Sequence, residues 1–342
     1  MNTYIPPIEF VVDGLISQGL HILSGKPKIG KSWLALLLCL KVATGEKFWN
    51  FETKQGTALY LCLEDSFARI QSRLFDLTDD APPDIHFATM AESIGYGIEE
   101  QIANFCSNHP NTKLIVIDTF QKIRTISNDN AYASDYRDIS FLKSIADKLK
   151  IAIVLIHHLR KQKDDDPMNR VSGTTGITGG ADSNFVLDRP KREGTRAKFF
   201  CTGRDIEDRS MELNFDRKSK IWDVIADSYE TPEILLEDIT ATVVKFLKDE
   251  KCFSGTPAEL AQQLSAYTEE EISPIVLSKR LNQNIPELEE FGIRYKSKRS
   301  NGKRLIYLNS ADSDGNLGIP ITVPTDPVSE ETVLRDDAEG EF

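Results

Sequence analysis

Residues Gly25-Lys26-Pro27-Lys28-Ile29-Gly30-Lys31-Ser32 spell G-x-x-x-x-G-K-S. Few eight-residue patterns restrict a chain so strongly. Leu20 to Leu23 ahead of it reads as a short buried strand. Trp33 to Val42 behind it reads as a helix closed by Gly45. A strand, a glycine loop and a helix in that order form a phosphate cradle. Glycine lets successive backbone N–H groups turn inward around an oxygen, and the helix N-terminus adds its dipole. The pattern assigns Lys31 to the β- and γ-phosphates of a nucleoside triphosphate and Ser32 to Mg²⁺. Gly25 to Ser32, with Trp33 behind them, are the candidate nucleotide-binding residues. The bland alternative is a chance glycine-rich turn, and both flanks argue against it.

The chain around this loop alternates strands and helices. Ile8 to Gln18 is a lead-in. Thr57 to Leu63 is an almost unbroken apolar run that ends in Glu64-Asp65, and Ser66 caps a helix over Phe67 to Leu77. Ile85 to Ala88 reads as a strand and Ile98 to Ser107 as a helix. Lys113 to Asp118 is a second buried strand ending in an acid. Ser127 to Ala133 reads as a mobile polar loop and Tyr136 to Lys150 as a helix. Ile151 to Ile156 is a third buried strand, ending in His157-His158. The stretch from Lys161 to Gly180 is rich in charge and glycine, which predicts a flexible loop outside the core. Ala197 to Thr202, Met211 to Phe215 and Ile221 to Val224 read as further strands. The class is therefore α/β with a mainly parallel sheet. Its expected extent is 1–225, with a linker at 226–232.

Two strand-end acids suit the chemistry that a triphosphate needs. Ligands of open α/β sheets sit outside the carboxyl ends of the strands. Asp118 there fits the Walker B role, opposite Ser32 on the metal. Glu64 on the neighbouring strand end can polarise an attacking water as general base. The alternative for each is a solvated strand-end carboxylate or helix cap. Two adjacent histidines on a strand face opposite ways. One of His157 and His158 is thus placed to sense the γ-phosphate and relay its state to the glycine-rich loop; the other is packed or solvent-facing. No Cys or His lies at metal-ligand spacing from them.

The remainder, 233–309, reads as helices over Glu233–Lys248, Leu260–Leu264 and Ser273–Asn284, then two strands around Ser300-Asn301-Gly302. This order resembles a winged-helix domain. Its hairpin holds Arg294, Lys296, Lys298, Arg299, Lys303 and Arg304. In a chain of net charge −12, that is a local patch suited to DNA phosphates. A solvated sheet edge is the alternative. Residues 310–342 hold nine acids and one base, Arg335, and read as a disordered acidic tail. Its end, Asp336 to Phe342, resembles the acidic tip with terminal phenylalanine of single-stranded DNA-binding proteins; a solubilising or self-competing acidic tail is the plainer and favoured reading. The five cysteines are scattered, no apolar run is long enough to span a bilayer, and Met1 to Pro7 lacks signal-peptide character. A cytoplasmic protein without membrane contact is the expectation.

Gly25 to Ser32, Leu61 to Asp65, Ile115 to Thr119, Val154 to Lys161 and Gly203-Arg204-Asp205 occur in the order found in RecA-like ring ATPases. The chain resembles the plasmid RepA type of hexameric helicase and related phage replication ATPases, with the DnaB replicative helicases as a wider circle. The resemblance covers about Asp13 to Phe215. It implies that Glu64 is the catalytic glutamate, that Asp118 is the Walker B acid, and that the sensor is His157 or His158. It further implies that Asn169 to Gly180 faces a central channel and touches single-stranded DNA. Arg204 would reach the γ-phosphate of the neighbouring subunit; a surface arginine paired with Asp205 or Asp208 is the alternative. DnaB-like proteins add a lysine two residues earlier, where this chain has Thr202. The expected function is that of a homo-oligomeric, hexameric DNA translocase or helicase using ATP and Mg²⁺, in replication of a plasmid, phage or mobile element. The C-terminal domain would contact duplex DNA or a replication protein. A DNA-binding initiator that uses ATP only to control assembly is the alternative, and a small-molecule kinase a weaker one.

Overall fold

The computed structural model describes residues 7–125, 130–160, 164, 166–189, 194–236, 238–268, 271–300 and 303–310. The expected acidic tail beyond Ser310, and most of the charged run at 161–165, lie outside them. The chain forms two compact units, Met1–Ala241 and Thr242–Phe342.

In chain order the first unit contains a small hairpin, β1 (Phe10–Val12) and β2 (Ile16–Ser17), then β3 (Gly19–Gly25), α1 (Lys31–Thr44), β4 (Thr57–Cys62), α2 (Phe67–Leu77), β5 (Ile85–Ala88) and α3 (Ile98–Asn108). There follow β6 (Thr112–Asp118), α4 (Phe120–Ile123), α5 (Ala131–Leu149), β7 (Ala152–His158), α6 (Thr175–Gly180), β8 (Ser183–Asp188), β9 (Arg196–Gly203), β10 (Arg209–Phe215) and β11 (Trp222–Asp227). One nine-stranded sheet runs β11-β10-β9-β8-β3-β7-β6-β4-β5. From β8 to β5 all pairings are parallel; β9, β10 and β11 extend it antiparallel.

The sheet is apolar on both faces because its strands alternate between two cores. On β7, Ala152, Val154 and Ile156 face one core, shared with α1; Ile153 and Leu155 face the other, shared with α3 and α5. Such double coverage is what continuous apolar runs specify. The local signals hold as well. Gly45 closes α1 in the left-handed region, its N–H donating to Lys41 O, and the Ser66 hydroxyl caps α2 by accepting from Arg69 N.

Three expectations are corrected. The stretch 161–180, expected to be a flexible loop outside the core, ends in a packed helix, α6. Gly176, Ile177 and Gly180 are buried, Ile177 completely. Its glycines serve close packing: a Cβ on Gly180 would meet Ile139 Cγ2 at 2.6 Å, and one on Gly176 would lie 3.2 Å from Tyr132 O and Tyr136 N. Next, α5 starts at Ala131, capped by Asn130, whose side chain accepts from Tyr132 N at 2.9 Å. Residues 131–133 are thus helix, while 126–129 fall outside the described residues. Finally, the sheet contains β8, a strand absent from the sequence reading, as the direct neighbour of the P-loop strand. Of the expected linker 226–232, Ala226 and Asp227 continue β11, and Pro232 opens a 3-10 turn that buries Ile234.

The second unit holds α7 (Asp238–Glu250, which begins in the first), β12 (Cys252–Gly255), α8 (Pro257–Thr268), α9 (Pro274–Gln283), α10 (Ile285–Glu290), β13 (Ile293–Ser300) and β14 (Lys303–Ser310). The three strands form a sheet in the order β12-β14-β13. A reciprocal capping box starts α8: Thr256 N donates to Glu259 Oε2 at 2.7 Å and Glu259 N to Thr256 Oγ1 at 3.3 Å. Arg294, Lys296 and Lys298 alternate with Ile293, Tyr295 and Ser297, so the three cations share one exposed face.

Candidate nucleotide-binding site

The P-loop joins β3 to α1 at the carboxyl edge of the sheet. Gly30 takes φ 105° as the residue capping α1, a conformation that a side chain would strain. There is no room for one either, since a Cβ would lie 2.9 Å from Trp222 Nε1. Trp222 is fully buried and donates to Gly30 O at 3.2 Å; Trp49 Nε1 in turn donates to Trp222 O at 2.6 Å. A tryptophan far along the sequence thus braces the cradle, with no local signal to mark it. Gly25 is equally confined, by Ile29 Cδ1 and Leu187 O.

The Lys31 ammonium donates to Gly25 O at 2.7 Å and Lys26 O at 3.0 Å, and the residue is only 6 % exposed. Burial pushes its pKa down to about 8, against the opposing pull of Asp118 and Glu64. A triphosphate favours the charged ammonium. Nucleotide binding above about pH 8 is therefore expected to take up a proton. Affinity should weaken as pH rises through that range, once the γ-phosphate is fully ionised. Calorimetry at about pH 8.5 in two buffers of different ionisation enthalpy measures the uptake directly. A pH-independent affinity between about pH 7.5 and 9.5 would contradict it.

Asp118 ends β6 at 7 % exposure and accepts two hydroxyls on one oxygen, from Ser32 Oγ at 2.7 Å and from Tyr60 OH at 2.7 Å. Tyr60 lies in the apolar run of β4, where its hydroxyl had no visible role. Burial beside Asp118 pushes the Tyr60 pKa well up, so it stays a donor. Ser32 and Asp118 together fit the donor set that Mg²⁺ keeps beside phosphates, oxygen ligands with the remainder supplied by water. Among the described residues no cluster of three His, Cys, Asp or Glu forms a separate metal site. Tyr60→Phe is expected to remove one charge-assisted hydrogen bond and cost about 1–2 kcal/mol of stability, read by chemical denaturation. An unchanged midpoint would remove that bond from the account.

Glu64 and His158 line the same cleft as Pro27, Lys28, Lys31, Ser32 and Asp118. Glu64 is exposed there and accepts from Thr119 Oγ1 at 3.2 Å. The two histidines are now distinguished. His158 faces the cleft, its pKa lowered by burial and then by Lys31. His157 is buried against Phe120 and contacts Ser172 O through Nε2 at 2.9 Å. Asp65 also lines this cleft, but its carboxylate is taken up by two arginines. It holds Arg69 at 2.7 Å and Arg73 at 2.5 Å, and Arg73 lies 5.6 Å over the Trp33 ring at the cleft wall.

Two connections lead from the cleft to residues 169–180. Asp188, at the end of β8, pairs with Lys26 of the P-loop at 3.5 Å and with Arg170 at 2.6 Å. Burial alone would raise its pKa, but Arg170 and then Lys26 pull it below the usual range. Arg124 lies over Phe120 and binds both Asp135 and Asp138 at 2.8 Å; Asp135 then accepts from Thr174 N and Thr174 Oγ1.

Arg204 is not in this cleft. Its N–H donates to Asp182 O and its guanidinium to Gly179 O at 3.0 Å, with Asp182 Oδ1 at 3.5 Å. Asp182, rather than Asp205 or Asp208, is its acidic partner. Asp182 N bonds Leu20 O, so Arg204 is level with the start of β3, while the P-loop leaves its other end. Five rises of roughly 3.3 Å, from Leu20 to Gly25, separate them by about 17 Å, beyond the reach of an arginine side chain.

Residues 1–164 match the family model described as "AAA domain", and residues 239–323 match the one described as "AICE RepA C-terminal domain". Each model matches less than half of the chain; together with the fold they support its resemblance to RepA-type, RecA-like replication helicases. No curated protein matches it. Two solved structures are similar. One is an ATPase domain (15 % identity, TM-score 0.51, covering 61 % of this chain and 85 % of that one). The other is a DnaB-like replicative helicase described with its interactions with primase (15 % identity, TM-score 0.52, covering 64 % and 62 %). At that identity the likeness is one of fold, and the fold is that of an ATPase. No helix among the described residues is long and apolar enough to cross a membrane.

Proposed function

We propose that this chain hydrolyses ATP at interfaces between copies of itself, as a ring, and uses the cycle to move along single-stranded DNA. One observation carries the reading. The phosphate cradle, Ser32–Asp118, Glu64 and His158 share a single cleft, while Arg204 lies about 17 Å away at the opposite end of the strands. A cation there is out of reach of its own subunit's nucleotide, which supports a role at a neighbour's.

The roles follow from placement. Backbone N–H groups of the loop from Lys28 to Ser32 and the Lys31 ammonium bind and orient the phosphates. Ser32 and Asp118 would hold Mg²⁺, which supplies charge neutralisation on the β- and γ-oxygens when bound. Glu64, exposed in the cleft, takes the proton of the attacking water. His158 senses the γ-phosphate, and the Asp188 and Arg124–Asp135 connections pass its state to residues 169–180. Those residues touch the DNA strand. Arg204, tied to Gly179, offsets charge on the neighbour's transferring phosphoryl group.

The second unit runs helix, strand, three helices and hairpin, an order that resembles a winged helix, and the cationic face of β13 would meet DNA phosphates. That face supports the second reading, an initiator that binds duplex DNA and uses ATP to control assembly. ATPase rate with and without single-stranded DNA, a strand-displacement assay, and native mass with nucleotide separate the two. Stimulation, displacement and a ring-sized mass support the translocase. Duplex preference with no displacement supports the initiator.

A further inference from the structure

Tyr132 and Tyr136 project from the first turns of α5, one helical turn apart. Each is 50 % exposed, and their rings lie nearly parallel, 8° between planes and 6.2 Å between centroids. Large aromatics half in water on a helix that otherwise buries Ile139, Leu142 and Ile145 have no packing role to explain them. Their surroundings are specific. Gly176 lies against the backbone between them, where its missing Cβ lets the 169–180 segment touch Tyr132 O and Tyr136 N. Thr174, capping α6, is bound by Asp135 from the turn between the two tyrosines. Asp135 and Asp138, the acids nearest the pair on α5, are buried and neutralised by Arg124, so they do not repel a polyanion. Arg160 is exposed and anchored to the same segment through Nε to Val171 O at 2.9 Å.

We propose that Tyr132 and Tyr136 form a stacking platform for the bases of single-stranded DNA, beside a segment that contacts the backbone. Every base has a π-face, so an aromatic pair of this kind grips unpaired strands without reading sequence, and it rejects duplex, whose bases are already stacked. The pair is also linked to the nucleotide cleft, since Arg124–Asp135 connects α4, directly after Asp118-Thr119, to the turn that bears both rings. This inference rests on the translocase reading and names the contact by which that reading would hold its strand.

The test uses the full-length protein and two labelled strands of equal length, oligodeoxythymidine and a fully abasic strand. Their phosphates are the same and only one has bases. Wild type is expected to prefer the thymidine strand. Tyr132→Ala with Tyr136→Ala should lose that preference by about ten- to a hundredfold, and the two Tyr→Phe changes should retain it. ATPase without DNA should be unchanged in both. A double alanine variant that still prefers bases overturns the proposal, as does one that changes oligomer mass but not base preference. Should the alanine variant fail to fold, photocrosslinking of wild type to 5-iododeoxyuridine strands decides: adducts on Tyr132 or Tyr136 support the platform, and adducts only elsewhere overturn it. Absence of any binding to either strand by wild type, with ATPase indifferent to DNA, removes the translocase reading itself.

Discussion

Glu64→Gln is expected to bind ATP with near-wild-type affinity and to turn it over about 10²–10⁴-fold more slowly. The two side chains have the same shape, and glutamine can still accept from the Thr119 hydroxyl that positions Glu64. What is lost is the basic carboxylate. Glu64 is exposed at the cleft, so its replacement leaves no buried charge unpaired, and thermal stability should scarcely change. Single-turnover hydrolysis compared with nucleotide titration separates chemistry from binding. A turnover within about threefold of wild type would assign the base role elsewhere.

Arg204→Ala should lower kcat by about 10³-fold or more in the assembled protein. Its effect on the isolated fold should be small, because a side chain 55 % exposed contributes little through its pairing with Asp182. Asp182 also keeps its stronger partners, Lys143 at 2.6 Å and Leu20 N at 2.9 Å. A large loss of rate with an unchanged melting temperature separates a role in the reaction from a structural one, and mixing of variant subunits then shows whose nucleotide is served. An equal fall in stability would make Arg204 a structural residue.

The parts of this molecule that are legible in its sequence are those where one local rule decides. The P-loop, the Ser66 cap, the Thr256–Glu259 box and the apolar strands β4, β6 and β7 are of that kind. So are the two acids, because strand ends in an open α/β sheet point at the ligand edge. What the sequence hides depends on neighbours distant along the chain. Strand β8 begins with Ser183 and Asn184, both buried between β3 and β9, so its apolar signature shrinks to Phe185, Val186 and Leu187. The glycines at 173–180 suggest flexibility, yet Gly176 and Gly180 are there for close packing on α5. Tyr60 is indistinguishable from a core aromatic until Asp118 is placed opposite its hydroxyl. Trp222 cannot be connected with Gly30 across 192 residues without the fold. The choice between His157 and His158 likewise needs the backbone, which directs one ring to the cleft and the other to Ser172.

The most direct test mixes two inactive subunits. Lys31→Ala cannot grip the phosphates but keeps its arginine; Arg204→Ala grips them but offers its neighbour nothing. In the proposed ring, assembled at random from equal parts, about one interface in four would join a sound cradle to a sound arginine. ATPase activity is therefore predicted to reappear on mixing, in proportion to those interfaces and only in co-assembled oligomers. No recovery in rings verified by mass to contain both subunits would contradict a nucleotide shared between two copies of this fold.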